Sequence, residues 1–129
     1  MRNFVAPNCG PTAFAIAVGA TVEKVMQAYA DKFNKGPKWQ GRSSVYELVK
    51  LGPTFGVKIE TDKFKGTLKK FVEQEALAGR RYIVRVGNHI VCVADGKVSD
   101  NHGSDVLHKW SAKRVSHVFW IKQELKAAA

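Results

Sequence analysis

A cysteine and a histidine lie about eighty residues apart in this chain, each at the predicted start of a regular element. Residues 8–13 read NCGPTA ahead of an apolar run, so Cys9 is predicted to open a helix with Pro11 in its first turn. Residues 87–100 read GNHIVCVADGKVSD, so His89 is predicted to open a strand. A helix N-terminus and a nearby imidazolium both favour the nucleophilic thiolate form of cysteine. The two side chains are therefore the parts of a thiol-based acyl-transfer site.

A carboxylate lies within reach of the histidine on the predicted hairpin. The Asp-Gly pair at 95–96 is a strong signal for a two-residue turn between two strands. With that turn, alternation places His89 and Asp100 on one face of the hairpin as diagonal neighbours. The Asp100 carboxylate can then orient the imidazole and stabilise its charged form. A three-residue turn would reverse this choice and favour Asn101.

The chain has two cysteines, and they receive different predictions. No disulfide framework is expected from so few, and Cys92, in an apolar strand pattern, is predicted to be a buried and unreactive thiol.

A metal site is the alternative use of the hairpin, with His89, Asp100 and His102 as ligands. The ligand spacing typical of structural zinc is absent, so neither a metal nor a cofactor is predicted.

Composition and charge limit the class of protein. The 129 residues are 45 % hydrophobic, which suits one domain with a packed core. No apolar run approaches the roughly 20 residues of a membrane span, and residues 1–7 lack a signal-peptide pattern, so a cytoplasmic protein without a membrane partner is expected. The net charge of +10 predicts either attraction to nucleic acid, an acidic protein or a bacterial envelope polymer, or solubility alone.

Helices are predicted in the first part of the chain and an antiparallel sheet in the second. This order indicates one α+β domain spanning 1–129, with a helical part at about 1–78 and a sheet part at about 79–125. Thr21 and either Ser43 or Ser44 are predicted N-caps, with Glu47 in capping-box relation to Ser44. The predicted helices cover residues 12–18, 22–33, about 44–51 and 67–78, the first and last closed by Gly19 and Gly79. The predicted strands cover 56–61, 81–86, 89–93, 97–100 and 115–121. Core or groove-wall positions are predicted for Trp39, Trp110 and Trp120, and the alternative for Trp110 is that it shields the catalytic residues from water.

Together, CGPTA at a helix start, then HIVCV and DGKVSD, resemble the papain-like cysteine peptidase superfamily. The resemblance covers most of the chain and is closest to small bacterial and phage members similar to the peptidases that process double-glycine leader bacteriocins. It implies a papain-like fold with Cys9 as nucleophile, His89 as general base and acid, and Asp100 as the orienting residue. The superfamily commonly places an oxyanion-binding glutamine about six residues before the cysteine. Asn3 stands there, with the same amide donor on a side chain one methylene shorter.

The function implied by this resemblance is cysteine-dependent hydrolysis of a peptide or other amide, and an acidic substrate would suit the charge. Cys9 attacks a carbonyl, His89 protonates the leaving amine, and water hydrolyses the thioester. An alternative of another class is a non-catalytic basic module on a degenerate papain-like scaffold, which binds nucleic acid or an acidic protein. A third hypothesis is a wall-peptide amidase, because a basic protein is attracted to anionic cell wall.

Overall fold

The structure is a computed structural model that describes residues 8–36, 38–76, 79–101 and 103–124, with the backbone alone at 122–124. Asn3 and His102 lie outside the described residues. The helices are α1 (Cys9–Val18), α2 (Val22–Phe33), α3 (Val45–Val49), a 3₁₀ turn (Gly52–Phe55), α4 (Leu68–Lys70), a π-helical turn (Phe71–Glu75) and α5 (Leu107–Trp110). The strands are β1 (Val57–Asp62), β2 (Arg81–Val86), β3 (His89–Ala94), β4 (Lys97–Ser99) and β5 (Val115–Glu124). None of the described helices is long and apolar enough to span a membrane.

The described strands form one antiparallel sheet in the order β1-β5-β2-β3-β4, so the predicted α+β class is confirmed. One face packs against α1, α2 and α3 through residues such as Ile83, Ile90 and Phe119. The other face packs against α4 and the π-helical turn through residues such as Val84 and Val91. Because β1 pairs with β5, the predicted helical part also contributes a strand to the sheet. Half-buried positions against these two cores, as predicted, are occupied by Trp39, Trp110 and Trp120.

Helix α1 begins at Cys9, as predicted, so its first turn precedes the apolar helical segment predicted at residues 12–18. Cys9, Gly10 and Pro11 form its first turn, where proline fits because the missing N–H would have no partner there. Gly19 ends the helix as predicted, in the left-handed region at φ 75°, and its N–H donates to the carbonyl of Ala15. The Cys9 thiol consequently lies at the N-terminus of a helix that packs against β3.

The N-caps of α2 and α3 are Thr21 and Ser44, whose hydroxyls accept from the N–H groups of Lys24 and Tyr46. The prediction of a capping box between Ser44 and Glu47 is wrong. The backbone N–H of Ser44 donates to the Tyr29 hydroxyl, which in turn donates to Glu47. Burial and the bond to Glu47 raise the pKa of Tyr29 to about 12, so the phenol stays protonated. Tyr29 thus fixes the start of α3 to α2.

The fourth predicted helix is wrong in its second half. Thr67 caps α4, but the chain leaves the α-helix at Lys70, makes a π-helical turn to Glu75 and is extended at Ala76. Residues 77–78 lie outside the described residues. Gly79, predicted to close the helix, instead donates its N–H to the Asp95 carboxylate at the hairpin turn. A tertiary contact therefore sets the end of this segment.

The predicted hairpin register is confirmed. Val93 pairs with Val98, and Cys92 pairs with Ser99. Positive φ values at Asp95 and Gly96, 51° and 78°, are those of a two-residue turn whose twist suits the hairpin. This register decides which side chains near the hairpin ends share a face with His89.

Candidate active site

His89 is held from two directions. Its Nε2 lies 2.7 Å from the Asp100 Oδ2, and the two residues are only 6 % and 3 % exposed. Trp110 donates its indole N–H to the same oxygen at 3.0 Å and stacks on the imidazole, with ring centroids 4.1 Å apart. A carboxylate at the edge and an indole on the face therefore fix the orientation of the ring.

The chain segment after β4 brings these partners together. Asp100 lies one residue beyond β4, and its backbone exchanges hydrogen bonds with Gly103, which closes a tight loop. The N–H of Val106 then donates to the carbonyl of Val98, and α5 carries Trp110 back over His89. The sequence pattern does not predict α5, because a helix of four residues is too short to show a helical period.

The thiol and the imidazole reach a common pocket of about 450 Å³. Cys9 comes from the first turn of α1 and is half-buried, whereas His89 comes from the first position of β3. The remaining lining residues, none of which was predicted, are Arg42, Ser43, Ser44, Val45, Tyr46, Arg85, Asn88 and Ile90. Two residues remote in sequence thus line one cavity, as a nucleophile and its base must.

A direct hydrogen bond links the two halves of the site. Asn101, the residue after Asp100, donates its side-chain amide to the Asn8 side chain at 3.3 Å. Asn8 immediately precedes Cys9. The loop that carries the carboxylate is therefore attached to the start of the helix that carries the thiol. Of the two neighbouring candidates, Asp100 contacts His89, and Asn101 contacts Asn8.

The second cysteine lies elsewhere in the fold. Cys92 is 1 % exposed on the sheet face that packs against the helices, and both cysteines are free thiols. Burial raises the pKa of the Cys92 thiol to about 12, so it is protonated at neutral pH. The prediction of a buried thiol is confirmed.

Two sequence predictions fall on residues outside the described ranges. Asn3, the candidate oxyanion donor, and His102, the third candidate metal ligand, are not placed. Among the described residues, no three or more His, Cys, Asp and Glu side chains are grouped so as to hold a metal ion. The first N–H groups of a helix have no partner within it, so the N-terminus of α1 offers backbone donors beside the thiol.

Gly10 allows a close approach of Ser43 to the helix start. A Cβ added at Gly10 would lie 2.1 Å from the Ser43 Oγ, and 3.3 Å from atoms of Leu48 and Ile90. The Ser43 hydroxyl is buried and has no hydrogen-bond partner among the described residues. Only glycine therefore lets the segment before α3 pack against the turn that presents the thiol.

Replacement of Gly10 by alanine is expected to destabilise the fold by about 1–3 kcal/mol, the usual cost of overpacking a filled site. Thermal and urea unfolding measure it. Ser43→Ala removes the clashing atom, so Gly10→Ala should cost less in that background. Gly36→Ala is the matched control, because an added Cβ there meets nothing within 4 Å, and a change below about 0.5 kcal/mol is expected. Equal costs at both glycines would contradict the packing described here.

Three parts of the chain thus converge on the pocket: the start of α1, the segment leading into α3, and the β2–β3 connection, with the loop after β4 behind the histidine. Together they present a thiol, an imidazole and a carboxylate, the side-chain groups that cysteine-dependent acyl transfer uses. Comparison of the chain with models of protein families, with curated proteins and with solved structures finds no match.

Proposed function

We propose that this chain is a cysteine-dependent hydrolase of peptide or other amide bonds with a papain-like fold. In this proposal Cys9 is the nucleophile, His89 the general base and acid, and Asp100 the residue that orients His89. One observation carries it: Cys9 and His89 line the same pocket, while Asp100 holds the Nε2 of His89. Because Nε2 is bound to the carboxylate, Nδ1 is the ring nitrogen that exchanges a proton with the thiol.

The proposed reaction has two halves. The Cys9 thiol transfers its proton to His89, and the thiolate attacks the substrate carbonyl to give a tetrahedral oxyanion. His89 then donates that proton to the leaving amine as the C–N bond breaks, which leaves a thioester on Cys9. In the second half His89 takes a proton from water, the hydroxide attacks the thioester, and the acid leaves as the proton returns to the thiolate.

The surroundings of the imidazole support an ion-pair mechanism. Asp100 is buried, so its hydrogen bond to His89 lies in a medium of lower dielectric than water and is stronger than the same bond in solvent. Trp110 covers one face of the ring and supplies a second donor to the same carboxylate oxygen. This indole helps to keep water away from the His89–Asp100 bond, so Trp110 is a positioning residue in the proposed site.

Turnover of p-nitrophenyl acetate tests the proposal without knowledge of the natural substrate. The wild-type chain should release more than one equivalent of p-nitrophenol per Cys9 at about pH 6.5, where surface lysines are protonated and react slowly. His89→Ala should lower this rate by at least about 100-fold. Equal rates in the two proteins would mean that the release comes from surface amines and would refute the hydrolase.

A non-catalytic basic module is the second candidate, and two observations favour it. The net charge is +10, and two arginines line the pocket. A binding module would take up nucleic acid or an acidic protein and yet show no His89-dependent turnover of the ester. The same experiment therefore separates the two candidates.

A further inference from the structure

The proposed catalytic pocket is flanked by two cations from different elements. Arg42 lies in the segment before α3, and Arg85 lies on β2 opposite Ile90 of β3. Both line the pocket together with Cys9 and His89. None of the described residues that line it is an aspartate or a glutamate. The Asp100 carboxylate is buried and binds His89 and Trp110.

Both arginines are attached to well-fixed backbone. The half-buried Arg85 donates its Nε–H to the carbonyl of Gly87 at 3.1 Å, which directs the guanidinium along the β2–β3 connection. The carbonyl of Arg42 accepts the indole N–H of Trp39 at 2.8 Å, and Trp39 stacks on Tyr29 with centroids 5.0 Å apart. The Arg42 side chain is exposed, so it can turn toward a ligand in the pocket.

We propose that the substrate carries a carboxylate beside the scissile amide and that Arg42 and Arg85 bind it; this rests on the hydrolase function proposed above. A guanidinium matches a carboxylate with two parallel N–H donors, and two such groups around one cavity favour an anion over a neutral side chain. The arginines flank a concave pocket of about 450 Å³, which accommodates an amino-acid-sized group rather than a nucleic-acid backbone. The net charge of +10 also attracts acidic substrates to the chain.

Alkylation of Cys9 by two reagents that share one reactive group tests this inference. Iodoacetate carries a carboxylate and iodoacetamide does not. The rate with iodoacetate divided by the rate with iodoacetamide therefore reports attraction of an anion to the thiol. Arg42→Gln and Arg85→Gln should each lower the ratio by roughly threefold to tenfold, as expected for unit charges a few ångströms apart in a solvated site. Higher salt should reduce the wild-type ratio as well.

Lys24→Gln is the matched control, because it removes one positive charge from an exposed position on α2 outside the pocket. Its ratio should equal that of the wild type. An equal fall in all three variants would assign the effect to net charge and overturn the inference. An unchanged ratio in both arginine variants would overturn it too, whereas iodoacetamide alkylation of Cys9 no faster than that of an ordinary thiol would instead refute the hydrolase.

Protection of Cys9 from iodoacetamide then identifies the position of the carboxylate. Nα-acetylglutamate amide carries it on a side chain, Nα-acetylglutamine carries it at a chain end, and Nα-acetylglutamine amide is the neutral analogue of both. Stronger protection by the first compound assigns an internal acidic residue, and stronger protection by the second assigns a substrate C-terminus. If neither charged compound protects Cys9 better than the neutral compound does, carboxylate binding is contradicted.

Discussion

Replacement of Cys9 by alanine is expected to abolish formation of the acyl-enzyme while the fold stays intact. Cys9 carries the only thiol among the described residues that line the pocket, and the serine and tyrosine hydroxyls there are much weaker nucleophiles at neutral pH. Alanine is also the best helix former and removes only a half-buried sulfur from the first turn of α1, so stability should change little. Intact mass after treatment with p-nitrophenyl acetate measures the adduct, and circular dichroism measures the fold.

The matched control is the other cysteine. Cys92→Ala should keep the acyl adduct, because that thiol is buried and its pKa is raised to about 12 by burial. The variant should lose stability, by about 1–2 kcal/mol, since a buried sulfur is replaced by a small void. Loss of the adduct in Cys92→Ala alone would mean that the wrong sulfur has been assigned as nucleophile.

Truncation of Asp100 to alanine should lower ester turnover by about 100-fold, and Asp100→Asn by about 10-fold. Alanine removes the carboxylate that binds the buried His89 ring and the half-buried indole N–H of Trp110, and loss of the buried bond costs about 1–3 kcal/mol of stability. Asparagine keeps an oxygen acceptor and loses the negative charge that stabilises the imidazolium. Urea unfolding measures the folded fraction of each variant. Turnover per folded molecule then separates the loss of activity from the loss of stability.

Asn101→Ala provides the neighbouring control. It removes the hydrogen bond to Asn8 but leaves the contact between Asp100 and His89 in place. The loss of turnover should therefore be smaller than for Asp100→Asn. A larger loss at Asn101 would contradict the assignment of Asp100 as the orienting carboxylate.

Local sequence determines the parts of this fold that could be predicted. The Asp-Gly turn at 95–96 sets the register of the β3–β4 hairpin, and that register alone places Asp100 near His89. Thr21 and Ser44 cap their helices with their own hydroxyls, a contact that spans two or three residues. Each of these features depends on neighbours in the chain, so a single sequence contains the necessary information.

Contacts between distant segments determine what could not be predicted. Trp110 reaches His89 through α5, which is too short to show a helical pattern. Arg42 and Arg85 enter the pocket only because α3 and β2 pack around α1 and β3. The π-helical turn at Phe71–Glu75 likewise has no local signal. Spacing in the sequence carries no information about which of the 21 basic residues would line the pocket.

The rate of Cys9 alkylation by iodoacetamide as a function of pH, in the wild type and in His89→Ala, tests the central claim most directly. A thiolate paired with an imidazolium reacts at about pH 5.5, where an ordinary thiol is almost entirely protonated. The wild type should therefore react faster than an ordinary thiol at that pH, and His89→Ala should react only as fast as an ordinary thiol. Identical profiles in the two proteins would show that the thiol and the imidazole do not act together, and the proposed mechanism would be wrong.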